Sequence, residues 1–177
     1  MSIELRVKWL LYILNKNGNR GYSYIIELLV FMFIIGILAA IALPSFVNEA
    51  GKGKQSEPKQ YVSSVNKAQQ AWYTEKNGFV TGTAEAAFAS LGVGIRTQTT
   101  NYTYSISGNT RNLVHVLAIP RSSAIKGYAG TVGLVGSGVD KTSQSVVCET
   151  TIAGKTPTGG TVNGNDVVCG SNMQQIK

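Results

Sequence analysis

The sequence predicts an α+β protein: a long N-terminal helix, apolar enough in its first half to span a membrane, packed through its second half on an antiparallel β-sheet head. Three observations predict it. The run from Ile25 to Leu43 is apolar apart from Glu27. The stretch from Pro58 to Tyr73 carries one apolar stripe at helical spacing. Four short apolar or alternating segments, separated by turn residues, then follow between Asn101 and Cys148.

The elements follow in chain order. Residues 1–21 are basic, with Arg6, Lys8, Lys16 and Arg20 against Glu4. The only apolar patch among them, Trp9 to Leu14, is too short for the core of a secretory signal, and Asn15-Lys16-Asn17-Gly18 supplies no small-x-small cleavage site. That patch fits the membrane interface. The nineteen residues from Ile25 to Leu43 rise about 28 Å as a helix, close to the hydrocarbon thickness of a bilayer. Glu27 lies near the start of that run, where a lone carboxylate costs about 2.5–3.5 kcal/mol on insertion scales. Such a charge needs a partner or a task. The four basic residues before the run favour a cytoplasmic N-terminus.

Beyond Pro44 the pattern becomes amphipathic. Pro58, Tyr61, Val62, Val65, Ala68, Gln69, Trp72 and Tyr73 fall on one face, with Lys59, Ser63, Ser64, Lys67, Gln70 and Glu75 on the other. Asn77-Gly78 supplies the stop. A nearly continuous helix from Tyr22 to Lys76 follows, gently bent, with weak points at Pro44, at Gly51-Lys52-Gly53 and at Pro58. The segment 78–100 is a connection with a short helix over Ala84–Leu91. Strand candidates are Asn101–Ile106, turned by Gly108-Asn109, then Leu113–Ala118, Tyr128–Val135 and Ser145–Cys148. The loop from Glu149 to Val168, with turns at Gly159-Gly160 and Asn163-Gly164, belongs at the sheet edge. The organisation is therefore 1–21, 22–44 as the membrane-spanning half of the helix, 45–77 as its amphipathic half, and 78–177 as a β-rich head.

Composition excludes several function classes. The net charge of +7 is diluted along the chain, without the dense basic stripe that nucleic-acid binding needs. His115 is the only histidine, and it sits in an apolar strand run without a supporting Cys or carboxylate. Carboxylates are scattered, no phosphate loop or nucleophile elbow is present, and no metal-ligand spacing occurs. The expectation is no catalytic residue, no metal and no cofactor. Cys148 and Cys169 admit one intrachain pairing; the alternatives are a disulfide closing a terminal loop in an exported domain, worth about 3 kcal/mol, or two buried thiols.

A basic leader, the Gly21-Tyr22 junction, Glu27, an apolar helix with Gly36 and Pro44, and a Cys-bordered C-terminal loop resemble the type IV pilins and pseudopilins. The stretches Asn66–Lys76 and Ile95–Thr99 are similar to the pilin-like G/H family. The resemblance implies a type IV pilin fold and a structural subunit, not an enzyme. It implies cleavage of residues 1–21 between Gly21 and Tyr22 by a prepilin peptidase, and N-methylation of Tyr22. It implies an assembly salt bridge between Glu27 and the new amine of a neighbouring copy, and unwinding of the helix from Gly36 to Pro44 in the filament. A disulfide joins Cys148 to Cys169 by the same resemblance. The implied partners are other pilin subunits in a helical homopolymer, the peptidase, the pilus assembly machinery and the bilayer before assembly; nucleic acid is a weak further candidate, suggested only by the net charge of +4 that remains without residues 1–21. The implied location is the inner membrane, then the extracellular pilus. The alternatives are a minor pilin, a type II secretion pseudopilin, or a signal-anchored surface domain that is never cut. One departure is specific to this chain: counted from Tyr22, Glu27 is the sixth residue, where the family carries its glutamate at the fifth.

Overall fold

A computed structural model of the chain describes Lys8, Tyr12 and residues 20–109, 111–138 and 140–176. The interface patch Trp9–Leu14, Tyr12 apart, and most of the leader lie outside the described residues. The chain divides into two compact units, Met1–Glu49 and Ala50–Lys177.

Helix α1 runs from Arg20 to Lys76 without interruption. It stays helical through Pro44, Gly51, Gly53 and Pro58, where the sequence predicts weak points. Two side chains brace the glycine stretch: Gln55 Nε2 donates to the carbonyl of Gly51 at 3.1 Å and Ser56 Oγ to that of Gly53 at 2.7 Å. The stop falls where expected. Asn77 takes the left-handed conformation (φ 52°), and its N–H reaches the carbonyl of Tyr73 at 2.8 Å. The chain then folds back along the helix. The Gln69 amide pairs both ways with the Val80 backbone, at 2.8 and 2.9 Å, and Phe79 packs beside the Tyr73 ring. Helix α2, Ala84–Leu91, ends at Gly92 in the left-handed region and buries Ala87 and Phe88.

The main sheet is antiparallel, with β1 (Tyr102–Asn109), β2 (Leu113–Pro120), β3 (Tyr128–Val135), β4 (Thr142–Thr150) and β7 (Met173–Gln175) side by side in that order. Two differences from the sequence reading have a plain cause. Strand β1 does not turn at Gly108-Asn109 but pairs on to Asn109↔Leu113. Gly108 (φ 136°) is what permits this, since a Cβ there would lie 2.7 Å from the Cα of Val114. Strand β7 was not expected. Its residues Met173-Gln174-Gln175 carry no strand pattern, and backbone bonds to β4 alone create it.

Alternation sorts the sheet residues onto two faces. Tyr102, Tyr104, Ile106, Val114, Val116, Ala118, Tyr128 and Val132 form one core with Val62 and Val65 of α1. The stripe on α1 differs from the predicted one. Trp72 and Ala68 stay outside the core, while Asn66 is buried and donates to the carbonyl of Val146 at 3.0 Å. Gly130 makes the close approach possible, because a Cβ there would run into Asn66 and lie 2.6 Å from Val62.

The opposite face of β3 carries the small residues Ala129, Thr131 and Gly133 and, at its end, Val135, and all four are buried. The disulfide loop covers them instead of lying at the edge. Its hairpin, β5 (Thr161–Asn163) and β6 (Asp166–Val168), sets Val162 against Gly133, where a Cβ would come within 2.7 Å. Small residues on a strand allow a second layer of backbone to settle directly on the sheet. Edge placement fails for that reason, and β7 takes the edge.

Candidate functional site

Within the first unit, the segment Tyr24–Leu43 has a mean hydropathy of 2.9 and no part of it is buried by the rest of the chain. Its large side chains stand fully presented, among them Tyr24, Leu28, Phe31, Phe33, Leu38 and Ile41. An apolar surface of this size is stable against lipid or against other apolar helices, not against water. Glu27 is exposed in the second turn of α1, the one charged residue of that segment. Gly21 and Tyr22 lie in the first turn, and their side chains are outside the described residues. Gly36 has open space where a Cβ would sit, so a neighbouring backbone could approach closely there. Pro44 is inside the unbroken helix. Nine residues separate Glu27 from Gly36, which places them about 180° apart around the helix. The carboxylate and the small-residue face, Gly36 with Ala40, therefore point to opposite sides of the helix.

In the second unit Cys148 and Cys169 are joined by a disulfide, with Cα atoms 5.9 Å apart. With Val135, Val146, Val167 and Met173 they form a small apolar cluster separate from the main core. The bond fixes the two ends of the loop. Its middle is held by Thr131, which accepts from the Gly160 N–H at 2.8 Å and bonds His115 Nδ1 at 3.1 Å. The backbone of Gly159 rests on the His115 ring, where a Cβ would come 2.5 Å from Cγ. Burial holds the His115 imidazole below its ordinary pKa. These contacts make His115 a satisfied strand residue.

A polar knot missed in the sequence ties α1 to β1, β3 and β4. Tyr104 donates to Glu57 at 2.8 Å and Tyr128 to Gln55 at 3.0 Å, beneath the aromatic row Tyr61–Tyr104–Tyr102–Tyr128. Burial first, then the Glu57 carboxylate at Tyr102 and Tyr104 and the Glu149 carboxylate at Tyr128, raises these three phenols well above the ordinary tyrosine range. Glu149 Oε1 accepts from Lys126 at 2.7 Å and from Gln174 at 2.7 Å, and Lys59 stands 4.0 Å from its other oxygen. Burial works against its charge, yet the Lys126 and Gln174 hydrogen bonds and the two lysine charges outweigh it, and the carboxyl is held below its ordinary value. The signal was present: Gln55, Lys59, Val62, Asn66 and Gln69 continue one face at three- and four-residue spacing through polar residues. Among the described residues no cluster of three or more metal-ligating side chains occurs.

A long helix with an exposed apolar first half, packed by its second half on an antiparallel sheet whose end is tied by a disulfide loop, is the α+β fold of the type IV pilins. The chain belongs to the type IV pilin-like G and H family, whose profile matches residues 55–170. It is also similar to the type IV major pilin protein PilA of Myxococcus xanthus (strain DK1622), 41% identical over 71 residues. That match covers 40% of this chain and 32% of the relative, so the chain aligns with about a third of that protein's length. No solved structure matches the chain.

Proposed function

We propose that this protein is a structural subunit of a type IV pilus filament, not an enzyme, and that it assembles through α1. The observation that carries the proposal is the segment Tyr24–Leu43, presented without cover and interrupted by one carboxylate. Family membership and the likeness to a protein named a major pilin support the same reading.

In this reading residues 22–44 hold the chain in the inner membrane before assembly, and the head 78–177, packed on residues 45–77, lies outside. A prepilin peptidase removes residues 1–21 at Gly21-Tyr22, and the new Tyr22 amine is methylated. The cationic amine of one copy meets Glu27 of another in the apolar interior of the filament. Bringing the two charges together offsets the cost that each incurs alone in a low-dielectric medium. The uncut chain has no such amine, which couples processing to assembly. Gly36 and Ala40 admit a second helix closely, and Gly36 to Pro44 is the stretch that unwinds. Contacts between different faces propagate a helical polymer when their rotation does not close a ring.

The test is Glu27→Ala. Membrane insertion should be retained, while the chain should largely disappear from sheared surface filaments. Normal yield of that variant in filaments refutes the pairing. Mass spectrometry of the mature chain should find methylated Tyr22 at the N-terminus; an intact Met1 means a signal-anchored domain instead. The sixth-residue position of Glu27 favours one further reading, a minor pilin or pseudopilin, which low abundance in the sheared fraction would identify.

A further inference from the structure

The unit Ala50–Lys177 has one end at which α1 enters it. Far from that end, Gln70 bonds the carbonyl of Ser143 and Asn66 that of Val146. Close to it, Gln55 accepts from the Lys126 N–H at 3.4 Å and from the Tyr128 hydroxyl at 3.0 Å. The turns that follow β2 and β4 therefore lie together at the Gln55 end, and they brace each other. The Gly154 N–H donates to the carbonyl of Ile125 at 2.8 Å, and the Thr150 N–H to that of Gly127 at 2.9 Å. The Thr150 hydroxyl donates to the carbonyl of Ile152 at 2.8 Å.

Two features of these turns have no part in the packing of the head. Ile152 is 60% exposed, the most exposed large apolar side chain among the described residues of this unit. Its backbone is held by Thr150, so the fold fixes that exposure. At the same end Arg121, Lys155 and, on α1, Lys54 are exposed, and among the described residues none of the three has a carboxylate within ion-pair distance. Nearby carboxylates are already committed, Glu57 to Tyr104 and Glu149 to Lys126 and Gln174. One exposed isoleucine is ordinary on a protein surface. Set among unpaired cations, at the end from which the chain runs back into its apolar segment, it matches an anionic lipid surface.

We propose that this rim of the head, Ile152 with Arg121, Lys155 and Lys54, rests on anionic phospholipid headgroups while the subunit waits in the membrane. The inference rests on the membrane placement of residues 22–44 proposed above. The sequence stays apolar as far as Phe46-Val47, and eight residues lead from Val47 to Gln55, about 12 Å in helical form. A headgroup layer of about 5–7 Å takes up part of that distance. The two turns continue past Gln55 toward it. Because α1 tethers the head to the surface, the effective concentration is high and a contact of few cations suffices. The rim orients the head until the subunit leaves the bilayer for the polymer.

Hydrogen exchange of the full-length chain, read by mass spectrometry in nanodiscs that hold one copy each, tests this. Amides of residues 121–126 and 151–155 should exchange several-fold more slowly in phosphatidylglycerol discs than in phosphatidylcholine discs or detergent. Those of β1 should not change. Salt at about 0.5 M should remove most of the difference. Ile152→Ser with Lys155→Gln, two exposed positions outside the core, should abolish it and leave the melting temperature unchanged. Equal exchange in all three environments overturns the inference and leaves the proposed function standing. Equal protection in both lipids overturns it too, since the contact would then be indifferent to charge. Protection that appears only in discs with two or more copies assigns the rim to a second head, and the inference falls. A full-length chain that remains a soluble monomer without lipid or detergent overturns the proposed function, and this inference with it.

Discussion

Thr131 and Glu149 show how single polar groups hold the head together. Thr131 is wholly buried and binds both the loop backbone at Gly160 and the ring of His115. Thr131→Val keeps the shape but leaves the Gly160 N–H without its acceptor. The expected cost is about 1–3 kcal/mol, read as a lowered midpoint in chemical denaturation. Protonation acts on the same region. His115 is held below 6.5 in the folded chain, so the unfolded chain protonates first as pH falls, and stability drains from 6.5 downward. Glu149 is held below 4.5, so its contribution is present above that value and is lost as pH falls through the folded pKa. Melting temperature should therefore decline in two acid stages, with His115→Gln removing the upper one and Glu149→Gln the lower.

At the scale of elements, the disulfide loop is the piece with least support of its own. Its hairpin strands, Thr161–Asn163 and Asp166–Val168, are short, and most of their residues are exposed. A bond across 21 residues of separation restricts the unfolded chain by about 3 kcal/mol. Cys148→Ser with Cys169→Ser should lower head stability by about that amount. Circular dichroism of the remaining sheet and helix should be retained, because the main core from Val62 to Tyr128 includes neither cysteine. Strand β7, which lies beyond Cys169, should show the earliest hydrogen exchange in that variant.

For the whole molecule, the two units answer to different solvents. Ala50–Lys177 has its own core, with Val62, Tyr102, Ala118 and Val132 fully enclosed. Tyr24–Leu43 has none of its residues enclosed. A chain truncated to residues 50–177 should fold as a soluble monomer with the Cys148–Cys169 bond intact, measurable by sedimentation and by thiol titration. The full chain should require detergent or lipid. A truncated head that polymerises by itself would move the driving force away from α1.

Much of this was legible in the residues themselves. The apolar run and the amphipathic stripe after it define α1, and the stop at Asn77 followed from a residue type that tolerates the left-handed conformation. Strand β3 was readable because its β-branched residues and its flanks are local signals. The apolar run and its carboxylate are properties of composition and order, so the sequence alone defines the candidate assembly helix. Tertiary structure decided what depends on partners distant along the chain. Met173-Gln174-Gln175 becomes a strand because β4 offers an open edge. The disulfide loop lies on a face because Ala129, Thr131 and Gly133 leave room for it. Asn66, Gln69, Glu57 and Glu149 are structural because each finds its hydrogen-bond partner elsewhere in the fold. A local pattern records which faces are apolar; only packing determines which polar groups can be buried, since each requires a partner that no local pattern can name.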